Sequence, residues 1–320
     1  MSSPTPTRSP KPDPVCVTGA NGFIGSWLVK TLLENNYTTI HATIFPGSDA
    51  THLTTLAAAS RATVVIHEAN LLDGAAISKA VEGCIGVFHV ASPCTLEAPV
   101  EPQRELVEPA VHGTLNVLEA ARRCKVRRVV VTSSISAMVP NPGWSSDKVV
   151  DESCWTDLDY CMSREKWYPV SQTLAEKAAW EFAEKNGLDV VAIHPATVSG
   201  HFYNLLLQGS TDTQEYTGWG LFMLEMLPGR NYYSTNLLLL LVDTLHQWHI
   251  SYRDFADKVS KLCPEFAVHR GNTARVNCLQ RCCEEMINLG LVFTPVEDAI
   301  KETVESLKEK VSLCRKLEFH

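Results

Sequence analysis

Residues 15–25 read Val-Cys-Val-Thr-Gly-Ala-Asn-Gly-Phe-Ile-Gly, and no other stretch of the chain restricts the fold as much. The first four residues are a short apolar run that predicts a strand, and residues 26–34 read as a helix. Between them stands Gly-x-x-Gly-x-x-Gly. Glycines at these steps let the backbone turn tightly and come close to a pyrophosphate, which sits at the N-terminus of the following helix. Glycines in a turn are common, so the pattern alone is a weak sign. Its place between strand and helix makes it a strong dinucleotide fingerprint, with Gly19, Gly22 and Gly25 as cofactor-binding candidates.

Further strands recur at a spacing that leaves room for helices, at residues 38–44, 63–67, 86–90, 128–132 and 189–194. Helical patterns fill residues 75–81, 105–123 and 168–186. Strand and helix in alternation imply a parallel sheet covered on both faces. The expected fold class is therefore α/β, a Rossmann-type doubly wound sheet, with ligands at the carboxyl ends of the strands. A length of 320 residues suits one large α/β domain, or one with a small lobe. Residues 15–200 form the expected nucleotide-binding domain, 201–320 a smaller, truncated C-terminal lobe, and 1–14 a disordered leader rich in Ser, Thr and Pro.

Composition excludes several classes of function. The net charge is −8 with no long basic run, which argues against nucleic acid and gives no reason to expect a membrane surface. The longest aliphatic run, residues 237–242, is far shorter than the ~20 residues a bilayer requires. Eleven cysteines without CxxC pairs read as reduced thiols, and His246 and His249 lack a third partner, so no metal is expected. A cytoplasmic protein is the default expectation, and the oligomeric state is left open.

Helix 168–186 opens with Trp167-Tyr168-Pro169-Val170-Ser171-Gln172. Residues four apart are neighbours on one helix face. A lysine four residues after Tyr168 would hold an ammonium beside the phenol and lower its pKa from about 10, so that it passes a proton near neutral pH. Gln172 stands there instead; it can hydrogen-bond but carries no charge. Lys166 and Lys177 are not at i±3 or i±4 from Tyr168 and are not expected to substitute.

The glycine turn with Ser26-Trp27-Leu28-Val29-Lys30, residues 83–93, Gly113-Thr114-Leu115-Asn116-Val117-Leu118, Val131-Thr132-Ser133-Ser134 and residues 167–182 together resemble the extended short-chain dehydrogenase/reductases. Within them the chain is most similar to the plant dihydroflavonol reductase and cinnamoyl-CoA reductase group. Residues 159–169 lack the Asn-Trp-Tyr-Cys-Tyr-Gly-Lys signature of true cinnamoyl-CoA reductases, so the resemblance is to "cinnamoyl-CoA reductase-like" members. It implies that Phe23 and Ile24 offer amides to the pyrophosphate and that Val90, Ala91 and Ser92 pass the cofactor's ribose. Asn70, with Leu71 after it, lies near the adenine where the family has aspartate. His194-Pro195 matches the strand-end dipeptide beside the nicotinamide. Ser134 matches the serine that hydrogen-bonds the substrate carbonyl, Tyr168 the acid, and Gln172 the lysine that also holds the nicotinamide ribose. Phe45 aligns with the arginine that clamps the 2′-phosphate of NADP; Ser48, with the amides of Gly47 and Ser48, is the candidate substitute. NADP is the cofactor the resemblance implies, NAD is not excluded, and the partner is a small aromatic carbonyl compound. The two other readings are an impaired cofactor-binding paralogue or non-functional gene product, and a nucleotide-sugar epimerase or dehydratase on the same fold. His89 and His194 read as hydrogen-bonded strand residues rather than bases, Trp155 as structural, and Glu181, Glu184 and Lys185 as a solvated helix face.

Residues 221–251 stop resembling the family. Back-translated with one added G, residues 221–227 re-read as Ala-Val-His-Val-Arg-Asp-Val, a family motif at this place. The stretch is hypothesised to be a frameshift bounded by compensating shifts.

Overall fold

The computed structural model describes residues 13–93, 99–145, 148, 150, 151 and 153–195, with Lys258, Lys261, Leu262 and Lys301 beyond them. The expected C-terminal lobe, the divergent stretch 221–251 and nearly all of the leader lie outside the described residues.

Six strands form one parallel sheet: β1 (Val15–Thr18), β2 (Thr39–Ile44), β3 (Thr63–Glu68), β4 (Gly86–His89), β5 (Arg128–Thr132) and β6 (Val190–Ile193). Their order is β3-β2-β1-β4-β5-β6. The winding reverses between β1 and β4, which pair in register from Val15↔Gly86 to Thr18↔His89. That reversal opens a crevice at the carboxyl ends of the two strands, the place where such sheets bind ligands. The expected doubly wound fold is the observed one.

Alternation along β1 shows how both faces are covered. Val15 and Val17 join a core with Leu28, Leu32, Ile40 and Leu53, under helices α1 (Phe23–Glu34) and α2 (Thr51–Ser60). Cys16 points the other way, because successive strand side chains alternate. It joins Ile77, Val87, Val117, Leu118, Val129 and Ala179 under α3 (Gly74–Val81), α4 (Glu108–Arg123) and α6 (Trp167–Asn186).

Element ends differ from the sequence expectation by a few residues. The first helix begins at Phe23, three residues earlier than expected, so Gly25 lies inside it. The expected helix 105–123 is a π-helical turn, Gln103–Val107, continuing into α4. Two helices were not expected, α2 and the short α5 (Leu158–Ser163). Only His52 and Leu53 of α2 are buried, so it carries no apolar stripe to read. Cys16, Cys84, Cys124, Cys154 and Cys161 are free thiols. Among the described residues no helix is long and apolar enough to cross a membrane.

Candidate active site

The glycine turn is shaped by two close approaches. Gly19 has φ +63°, and a Cβ there would meet the Ala91 Cα at 2.9 Å. Gly25 packs so tightly that a Cβ would lie 2.2 Å from the Gly19 carbonyl oxygen. Only glycine fits either position. Gly22 precedes α1 and offers no side chain to cap it, which leaves the helix entrance clear for an anion. These residues fit a dinucleotide pyrophosphate, with the backbone of Phe23 and Ile24 at the helix entrance.

Thr18 ties this turn to the end of β4. Its hydroxyl oxygen accepts from the amides of Val90 (3.0 Å) and Ala91 (3.1 Å). Its proton is then left for Nδ1 of His89, 2.9 Å away. With Nδ1 accepting, His89 carries its proton on Nε2 and donates to Thr114 Oγ1 at 3.1 Å. The ring is therefore neutral, and burial pushes its pKa down to about 4. His89 is thus a hydrogen-bonded strand residue that ties the end of β4 to β1 and α4. Leu71 is held from α4: Asn116 Nδ2 donates to its carbonyl at 2.8 Å, and a Cβ on Gly113 would meet its Cβ at 2.8 Å. Asn70 Oδ1 accepts from the Leu72 amide at 2.9 Å, which leaves only its Nδ2 donors for an adenine.

Ser134 follows β5 and is buried. Its oxygen accepts from the Ser136 amide at 3.1 Å, and its proton faces the Pro195 carbonyl at 3.5 Å. That second bond is too long to hold the proton strongly, so the hydroxyl can turn to another acceptor. Pro195 itself is locked to the turn after β5 by Ile135 N–H at 2.9 Å. Helix α6 packs on that turn at Thr173, whose hydroxyl gives its proton to the Pro169 carbonyl at 2.7 Å and lies 3.4 Å from the Ala137 carbonyl. Tyr168 stands half-buried at the start of α6, one helical turn before Gln172.

Gln172 is buried, and its Nε2 donates to Ser92 Oγ at 2.9 Å. The amide thus bridges α6 to the loop after β4, where the cofactor's ribose is expected. Neither nearby lysine replaces the missing charge. Lys177 Nζ lies over the Trp155 ring at 5.0 Å, and Lys166 Nζ near the Tyr160 ring at 6.0 Å.

One residue of this site escaped sequence reading. Glu176, four residues after Gln172, is only 4% exposed and lines the same cleft as Ser92, Ser133 and Gln172. Its Oε2 accepts from Ser133 Oγ (2.5 Å) and lies 2.7 Å from His194 Nε2, while Oε1 accepts from Trp180 Nε1 (3.0 Å). Burial pushes its pKa up, but the bonds from His194, Ser133 and Trp180 outweigh that and hold the carboxyl below its usual range. Glu176 thereby clamps the ends of β5 and β6, from which Ser134 and Pro195 project. The spacing 168, 172, 176 was the available signal.

The turn after β2 folds back on the Phe45 carbonyl. Both the amide and the hydroxyl of Ser48 donate to the Phe45 carbonyl. The turn closes on itself, with both Ser48 donors engaged by one backbone carbonyl. Phe45 is 64% exposed.

Residues 15–214 match the NAD dependent epimerase/dehydratase family. The chain belongs to this family. It is 37% identical to cinnamoyl-CoA reductase 1 of Petunia hybrida, over 95% of this chain and 94% of that one. It is 36% identical to cinnamoyl-CoA reductase 2 of Medicago truncatula, over 92% of this chain and 91% of that one. The crystal structure of vestitone reductase from alfalfa (Medicago sativa) matches with a TM-score of 0.67 and 28% identity, covering 93% of this chain and 99% of that one. The resemblance read from the sequence therefore holds: this is a cinnamoyl-CoA reductase-like member of the extended short-chain class, of the NAD(P)-dependent oxidoreductase type.

Proposed function

We propose that the chain is a reductase for the carbonyl of an aromatic aldehyde, a ketone or a hydroxycinnamoyl-CoA thioester, with NADP the cofactor implied by resemblance. A nicotinamide held at the glycine turn and the β4 loop would supply hydride to the carbonyl carbon. Ser134 polarises the carbonyl oxygen through its weakly held proton, and Tyr168 protonates the alkoxide formed from an aldehyde or ketone; from a thioester the alkoxide collapses to the aldehyde and the departing CoA thiolate takes the proton. Gln172 takes the ribose-contacting position, and Glu176 holds the strand ends behind it. The observation that carries this reading is the meeting of the β4 loop, the end of β5 and helix α6 at one cleft, beside a glycine turn packed too tightly for any side chain.

Gln172 favours a second reading, a paralogue that binds cofactor and turns over poorly. NADPH oxidation by the purified chain, with phenolic aldehydes and hydroxycinnamoyl-CoA esters, separates the two when run beside Gln172→Lys. Turnover only in the lysine variant makes the missing ammonium the lesion. Turnover in the unchanged chain refutes that account of the lysine. Cofactor binding without turnover in either chain supports the silent paralogue, and turnover of a UDP-sugar would revive the epimerase alternative.

A further inference from the structure

In a doubly wound sheet the adenosine ribose lies beyond the second strand, where an arginine accommodates a 2′-phosphate or an acidic side chain holds the 2′-hydroxyl. Here Ile44 ends β2 and Phe45 follows it, so neither group is present. No lysine or arginine occurs between Lys30 and Arg61. Lys30 Nζ sits 2.6 Å from Glu34 and over Trp27 at 5.3 Å, on the flank of α1. Ser48 N–H and Oγ–H both go to the Phe45 carbonyl, so what the turn can still offer a phosphate is uncharged backbone, such as the Gly47 amide.

The two titratable groups of this turn add no positive charge. Asp49 accepts from the Thr51 hydroxyl (2.6 Å) and amide (3.1 Å), bonds that hold its carboxyl below the usual range and keep it ionised. Its backbone carbonyl is also tied to the glycine turn by Asn21 Nδ2 at 3.1 Å, so it cannot swing far from the cofactor path. His52 is 1% exposed, and its Nε2 meets Ser26 Oγ at 2.8 Å. Ser26 gives its proton to the Gly22 carbonyl at 2.7 Å, so the histidine is the donor to Ser26 and stays neutral, with burial pushing its pKa down. A 2′-phosphate entering here meets one carboxylate and no cation among the described residues. The exposed Phe45 ring offers apolar surface that serves either cofactor alike.

We infer that this chain binds NADH at least as tightly as NADPH, because the turn after β2 holds no cation for a 2′-phosphate and carries the Asp49 carboxylate. The inference rests on the dinucleotide reading of the glycine turn. It departs from the NADP preference that resemblance implies.

The test is direct titration of the full chain with NADH and with NADPH, followed by quenching of protein fluorescence, beside Phe45→Arg. The unchanged chain is expected to show an NADH dissociation constant equal to or below that of NADPH. The arginine variant is expected to tighten NADPH by about tenfold, the scale of one charge-assisted phosphate contact, with NADH little changed. NADPH binding tighter than NADH by more than about threefold in the unchanged chain overturns the inference, since that margin requires a favourable phosphate contact. Failure of both cofactors to bind overturns the dinucleotide reading itself. The two failures are therefore distinct.

Discussion

Glu176 is the residue whose loss should be felt most. It is a buried carboxylate with three donors converging on it, from Ser133, His194 and Trp180. Replacing it with leucine fills the space but leaves the Ser133 hydroxyl and the His194 Nε2 unpaired, at sites 6% and 2% exposed. Each orphaned buried group costs about 1–3 kcal/mol. Trp180 is 37% exposed, so its indole N–H can turn to water and adds little. The sum is about 4 kcal/mol, within the ~3–5 kcal/mol seen when one partner of a buried pair is removed and a large part of a typical ~5–15 kcal/mol total. Glu176→Gln should cost less, about 1–2 kcal/mol, because whichever way the amide turns its NH2 faces at least one donor. Urea unfolding followed by circular dichroism reads both, as a fall in midpoint at unchanged slope. A double-mutant cycle with His194→Leu should be non-additive by about 1–3 kcal/mol, the double variant being less damaged than the sum. Acid sharpens the test. The folded carboxyl lies below its ordinary 4.5, so its contribution is present above that value and lost as pH falls through the folded one. The glutamine variant should lack this acid-dependent loss. A leucine variant within about 1 kcal/mol of the unchanged chain, or strict additivity with His194→Leu, would refute the clamp.

Three other perturbations test separate parts of the structure. His89 is held neutral with a pKa of about 4 against an ordinary 6.5, so its contribution is whole above pH 6.5 and falls away between 6.5 and 4; the difference corresponds to about 3 kcal/mol, read as a stability profile that flattens in His89→Gln. Gly25→Ala forces a methyl to 2.2 Å from the Gly19 oxygen, so the turn must shift; NADH and NADPH binding should both weaken by about tenfold or more in a fluorescence titration, and unchanged affinity would show that the turn is not the cradle. The shifted-frame hypothesis for residues 221–251 predicts that a full-length transcript restores the Ala-Val-His-Val-Arg-Asp-Val motif, and an intact frame encoding the sequence as given would end it.

The sheet was legible because its central strands are buried and its elements alternate at a regular spacing. Strands β1, β5 and β6 carry short apolar runs, β2 alternates, and the longer core-facing helices bury one face. Helix α2 was not legible, since it buries only two side chains at one end and otherwise lies on the surface. The site divides in the same way. Gly19, Ser134, Tyr168 and Gln172 announce themselves through turn chemistry or motif spacing. Glu176 does not, because a carboxylate on a helix reads as solvated, and Glu181 and Glu184 on the same helix are indeed exposed. What separates them is the stripe of Gln172, Ala175, Glu176, Ala179 and Ala183, which α6 turns inward. The alanines mark that face as closely packed, so a glutamate among them has to find partners or fail to fold. Those partners come from β5 and β6, more than 40 residues before it and 18 after it. No local pattern names them in advance. Gln172 lies on the same inward face, and there the absence of an ammonium matters most: the cleft holds an ionised carboxylate and, among its lining residues, no cation. A lysine restored at position 172 would lie one turn from Glu176 and find a counter-charge already in place. The second turn of α6 therefore has an electrostatic environment suited to the residue it lacks.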